Sequence, residues 1–148
     1  MNEMTTILFA TDFSEVSDSA FEYAASLAAT YNARLVVLHV VAHQTDLRSF
    51  YVPHISFDDL DQQVEVGAKQ RMNEFCNRWR GQFPDLIACV VTGIPQVEIL
   101  KKALDVTASM IVMGTHGRQG FEHFIFGSTA EGVVKTAPCP VLTVRPQS

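Results

Sequence analysis

Charged side chains are scarce in this chain: Asp, Glu, Lys and Arg make up 18% of its 148 residues, and the formal net charge is −5. A protein that neutralises rows of phosphates needs the opposite balance. Broad, sequence-independent nucleic-acid binding is therefore not expected, although a local basic site would survive this argument. Long apolar runs are missing too, and none approaches the ~18 residues that would mark a membrane span. The opening MNEMTTILFATDF carries an acidic residue where a signal peptide has its basic end. The expectation is a cytoplasmic protein with no membrane partner. Cysteine is limited to Cys76, Cys89 and Cys139, far apart and without a CxxC. That pattern suits buried free thiols in a reducing compartment rather than a disulfide framework or a zinc site. Glycine is sparse as well, yet four of the 8 fall between Met113 and Thr129, in MGTHGRQGFEHFIFGST.

What is present is a regular alternation. TTILFAT (Thr5–Thr11) is short, apolar and unpatterned, as a strand covered on both faces should be. In DFSEVSDSAFEYAASLAATYNA, Ser14 or Ser17 is placed to cap a helix. Ala20, Ala24, Leu27, Ala28 and Tyr31 recur at helical spacing, and Asn32 suits a left-handed end. RLVVLHVV (Arg34–Val41) reads as a second strand. The connection that follows, AHQTDLRSFYVPHISF, is about 16 residues long, a length usually tied to function or mobility. From Asp58 to Phe83, Leu60, Val64, Ala68, Met72, Phe75 and Trp79 form one helical stripe. LIACVV is a third strand, and a helix from Pro95 to about Val106 is expected to turn Val97, Leu100 and Leu104 inward. ASMIVMG, a helix from about Ser128 to Thr136, and CPVLTVR (Cys139–Arg145) complete the series. Five strands alternating with four helices predict one α/β domain over 1–148, an open parallel sheet with helices on both faces.

Ligands of such sheets bind beyond the carboxyl ends of the strands, where chain order reverses. Thr11–Phe13, Val40–Ala42, Thr92–Pro95 and the segment after Met113 make up that rim, so the glycines fall on it. The dinucleotide fingerprint needs glycines between the first strand and helix, where ATDFSE has none. The triphosphatase loop needs a lysine where Phe126 precedes Gly127–Ser128. A third arrangement fits: Gly114 ends the fourth strand, Gly117 follows, and Gly127–Ser128 opens a helix whose first amides and dipole suit an anion. Arg118 adds positive charge nearby. The plainer alternative is that the glycines shape a turn and Ser128 caps the helix, and spacing alone leaves both open.

The spacing Gly114-x-x-Gly117, nine residues, then Gly127–Ser128, with ILFATDFSEVSDSAFEYAASLA, VLHVV, VTGIPQVEIL and APCPVLTVR, resembles the nucleotide-binding branch of the universal stress protein family along the whole chain. The resemblance implies a Rossmann-like sheet of strand order 3-2-1-4-5 and ATP as bound ligand, with Mg²⁺ on its phosphates. Carried onto this sequence, Asp12 would contact the ribose hydroxyls and the backbone of Val40 would hold adenine. Ala10 and Thr11 would border the nucleoside. Gly114, Gly117, Gly127 and Ser128 would surround the phosphates, with Met113 and Thr129 close by. Ala10 stands where the family often has proline or valine, a change not expected to abolish binding. The chemistry agrees, since an ionised aspartate only accepts and so suits vicinal hydroxyls. Its alternative role is a turn residue bonded to its own backbone.

No catalytic residue is assigned. His116 and His123 flank the glycine segment as ordinary loop histidines, and His43, Asp46, His54 and Asp58 match no closed metal motif. His39 reads as a packed or hydrogen-bonded core residue, and Phe121, Phe124 and Phe126 as packing for the loop. Fast phosphoryl transfer needs a base and charge stabilisation, and only Arg118 is near, so at most slow ATP hydrolysis is expected. The functional expectation is an ATP-binding stress-response sensor or regulator, acting through conformation or an unidentified protein partner. A slow ATPase or nucleotidyl-transfer enzyme, and a dimeric scaffold with an unused site, are the alternatives. CPVLTVR would lie at a sheet edge, which invites pairing, and the resemblance implies a homodimer through this strand.

Overall fold

Every residue of β1 (Thr6–Ala10) is buried, which is why TTILFAT shows no alternation. The computed structural model describes residues 3–42, 57–115 and 127–146. After β1 come α1 (Glu15–Tyr31), β2 (Arg34–Ala42), α2 (Phe57–Trp79), β3 (Ile87–Gly93), α3 (Pro95–Asp105), β4 (Met110–Gly114), α4 (Ser128–Thr136) and β5 (Val141–Val144). The five strands form one sheet in the order β3-β2-β1-β4-β5, every pair parallel. This is the order that the resemblance implies. Chain order reverses between β1 and β4, with Leu8 opposite Ile111 and Phe9 opposite Val112.

The helices divide between the two faces. Ile7, Phe9, Leu35 and Val37 pack with Ala20, Phe21, Ala24 and Ala28 of α1 and with Met72, Phe75 and Cys76 of α2. The alanines let α1 lie close to the sheet. Phe21 meets Phe9 and Phe75 edge-on at centroid distances of 5.0 and 4.8 Å, contacts that add about 0.5–1.5 kcal/mol per pair beyond area burial. On the opposite face, Leu8, Ala10, Val36 and Leu38 meet Ile99 and Ala103 of α3 and Ala130 and Val133 of α4. At the amino ends of the strands, Ser109 Oγ accepts from the amides of Thr5 and Thr6, at 2.9 and 3.2 Å, across 104 and 103 positions of sequence.

Ser14 is the cap of α1: its hydroxyl accepts the Ser17 amide, and Asn32 ends the helix at φ 53°, ψ 42°. Three expectations about burial need correction. Val97 and Leu104 are 45% and 67% exposed, and the residues that α3 buries are Ile99 and Ala103. Two overlapping apolar stripes run along this helix, and the small Ala103 side chain favours the one that brings the backbone nearer the sheet. Tyr31, at the last turn of α1, is 55% exposed. Of the three free cysteines only Cys76 is fully buried, while Cys89 and Cys139 are half-buried.

Candidate functional site

At the carboxyl end of β1 the chain turns sharply, and Thr11 holds the turn from inside. Its amide donates to the Leu38 carbonyl at 2.9 Å. Its Oγ1 accepts the Phe13 amide at 2.9 Å and the Ser17 hydroxyl at 2.7 Å, and its carbonyl lies 2.8 Å from His39 Nδ1. Thr11 and Ser17 are 6% and 3% exposed, so the bond between their hydroxyls is shielded from water and costly to leave unmade. Phe13 adopts φ 63°, a left-handed backbone that is unusual for a bulky residue. Its ring lies 4.5 Å from the His39 ring and beneath the Arg71 guanidinium at 5.0 Å.

Asp12 sits on this turn, half-buried, and its Oδ1 accepts the Ser14 amide at 3.0 Å. The turn-residue role of Asp12 is thus realised. Val40 lies two residues beyond Leu38, and strand alternation points its peptide N–H and C=O toward the same side as Leu38. β1 has ended at Ala10, so the Val40 peptide faces past its last paired residue.

Across the reversal point, the buried Met113 and half-buried Gly114 end β4. Thr115 donates its amide to the Val144 carbonyl at 2.9 Å and accepts the Gly127 amide on its own carbonyl at 2.6 Å. This bond closes the glycine-rich segment and sets the start of α4 beside the end of β4. The cap of α4 is Gly127, at φ −68° and ψ 159° with no side-chain cap bond. Ser128 is the first helical residue, not the cap. Among the described residues no glycine takes a positive φ, so conformational freedom is not what Gly114 and Gly127 supply. Thr129 follows Ser128, and the first-turn amides are those a helix leaves unpaired.

Ala10, Thr11, Asp12, Val40, Met113, Gly114, Gly127, Ser128 and Thr129 therefore all lie along the carboxyl rim. Gly117 and Arg118 lie outside the described residues, as do His43, Asp46, His54, His116, Phe121, His123, Phe124 and Phe126. Asp58 belongs to α2 rather than to the connection. Among the described residues no group of three or more His, Cys, Asp or Glu could hold a metal ion. Nor is any described helix long and apolar enough to cross a membrane. Partial burial pushes the Asp18 carboxyl above the ordinary aspartate value; Arg78 pulls it back, while Asp12 and Glu15 push it further up.

Sequence reasoning left His39, Ser17 and the left-handed Phe13 out of the site. His39 reads in the sequence as a packed or hydrogen-bonded residue, which its bond to Thr11 and its contact with Phe13 bear out, and its place immediately before Val40 was the signal that it borders the site.

A parallel five-stranded sheet whose chain order reverses between β1 and β4, with helices on both faces, puts the chain in the Rossmann-like class of open α/β folds. The sequence profile described as the universal stress protein family matches residues 3–145, and this chain belongs to that family. A putative universal stress protein of Staphylococcus aureus is 31% identical, covering 94% of this chain and 82% of the relative. A universal stress protein of Methanocaldococcus jannaschii is 26% identical over 94% and 93%. Among solved structures, universal stress protein UspA from Lactobacillus plantarum superposes with a TM-score of 0.81 at 26% identity, over 97% and 99% of the two chains. The same fold recurs in a universal stress protein in complex with cAMP, TM-score 0.70 at 22% identity over 97% and 98%. It recurs again in one from Archaeoglobus fulgidus in complex with dAMP, 0.66 at 19% over 97% and 99%.

Proposed function

We propose that the rim between β1 and β4 binds an adenine nucleotide, ATP with Mg²⁺ on its phosphates, and that the chain acts as a stress-response sensor or regulator whose occupancy alters its shape or its protein partner. The observation that carries this reading is the bond from the Gly127 amide to the Thr115 carbonyl. It sets the amides opening α4 beside the end of β4, on the carboxyl rim that also carries the Asp12 turn and Val40. In this reading the start of α4, with Gly114, Gly117 and Arg118, receives the phosphates. Asp12 takes the ribose hydroxyls, Val40 reads the adenine edge, and Ala10, Thr11, Met113 and Thr129 wall the site. That two proteins of this fold are solved with cAMP and dAMP, both adenine nucleotides, supports the ligand class.

Mass spectrometry of gently purified protein, followed by calorimetry with ATP, AMP and NADH, tests the reading. Asp12→Ala and Gly127→Val should each weaken ATP, and an unchanged affinity in either would refute the assignment. Single-turnover hydrolysis separates a regulator from an enzyme, and at most slow turnover is expected. β5 occupies a sheet edge, and pairing with its twin in a second copy would cover it. Equilibrium sedimentation at micromolar protein should then report a dimer, and a pure monomer would remove this part of the proposal.

A further inference from the structure

We infer that His39 is a positioning residue, one that keeps the Asp12 carboxylate and the Val40 peptide at a fixed separation for a nucleoside; the inference rests on the adenine-nucleotide reading above. His39 Nδ1 lies 2.8 Å from the Thr11 carbonyl oxygen. A carbonyl only accepts, so Nδ1 carries the proton and donates it. The two bonded residues are the immediate predecessors of the two that matter, Thr11 of Asp12 and His39 of Val40. One hydrogen bond thus ties the Thr11–Asp12 peptide to the strand that bears Val40, just past the point where the β1–β2 register stops at Ala10 opposite Leu38.

The surroundings make that bond directional. The imidazole is packed against the Phe13 ring, which is itself covered by Arg71. Phe13 holds its left-handed backbone with its amide on Thr11 Oγ1. A bulky residue keeps such a conformation only while its neighbours enforce it. Releasing the Thr11 carbonyl would let the peptide rotate and carry the Asp12 carboxylate with it. His39 therefore acts on the sugar through Asp12 and touches neither sugar nor phosphate itself.

The test is calorimetry of ATP and 2′,3′-dideoxy-ATP on the parent and on His39→Phe, His39→Asn and His39→Gln. Aligned hydroxyl-to-carboxylate bonds should give the parent about a tenfold preference for ATP. His39→Phe keeps a ring against Phe13 but has no donor, and should lose most of that preference. Asn places its amide nitrogen where Nδ1 sits and should retain it. Gln places the nitrogen further out and should lose it. A role confined to folding would weaken both ligands alike and would not separate Asn from Gln. Full preference in His39→Phe, or equal behaviour of Asn and Gln, overturns the inference alone. A parent that binds neither nucleotide overturns the proposed function and this inference together.

Discussion

The Ser17 hydroxyl lies 2.7 Å from Thr11 Oγ1 in a buried contact, one turn into α1 from the strand end that it braces. The same oxygen takes the Phe13 amide at 2.9 Å. A single threonine therefore links the last residue of the central strand, the strained turn and the first turn of the helix.

Thr11→Val keeps the shape but removes the acceptor, stranding a hydroxyl and an amide. The expected loss is about 1–3 kcal/mol, the cost of leaving a buried donor without a partner. Urea unfolding should show a lower midpoint with an unchanged slope, and Thr11→Ser should recover most of it. A valine variant as stable as the parent would contradict the bracing role.

Gly127→Asp should separate stability from binding. The carboxylate would supply the side-chain cap that α4 lacks and complement the helix dipole, worth roughly 0.3–1 kcal/mol. It would also stand where a phosphate is proposed to rest. A rise in Tm together with at least about a tenfold loss of ATP affinity is expected from like-charge repulsion at short range. Tight ATP binding by this variant would move the phosphates elsewhere.

Thr107 ends α3 with φ 50°, a left-handed backbone that disfavours a β-branched residue. Thr107→Gly should stabilise the chain by about 0.5–1 kcal/mol, strain relief partly offset by the extra freedom of glycine when unfolded. The residue lies between α3 and β4 at the amino end of the sheet, so ATP affinity should stay unchanged. Denaturant melts with paired calorimetry check both outcomes.

Asp18 has a carboxyl raised above 3.8, first by partial burial, against the pull of Arg78 and with the push of Asp12 and Glu15. Through the interval from that value upward, the folded chain holds the proton more tightly than the unfolded one. Stability from this group is accordingly present below the interval and declines as pH rises through it. Asp18→Asn should be more stable than the parent at pH 7 and indistinguishable from it once both are titrated well below 3.8. Thermal melts across pH that showed parity at pH 7 would contradict the sign.

Much of this was legible in the residues. The span of α4 could be read because Gly127 precedes it and Pro138 follows, and β1 declared itself by an apolar run with no alternation. The inward face of α3 could not, because two adjacent apolar stripes satisfy one helical period and only the sheet beneath selects Ile99 and Ala103. Ser14 and Ser17 were equally good caps on paper, and the fold uses the first as cap and sinks the second onto Thr11. His39 was legible as a packed or hydrogen-bonded residue, but what it bonds to was not. Its partner is a backbone carbonyl 28 positions away, and side-chain periodicity carries no information about where a distant peptide points.

The central strand must wait for one of its neighbours. Its serine clasp at residue 109 lies 104 positions downstream of Thr5, and a ribosome adding ~5–20 residues per second takes roughly 5–20 s to deliver it. Through that interval a nascent chain holds a largely apolar strand with one flank bare, the kind of edge that recruits unwanted partners. Closure of the sheet is consequently a late event in translation, and a polypeptide stalled short of Met110 would be a client for chaperones.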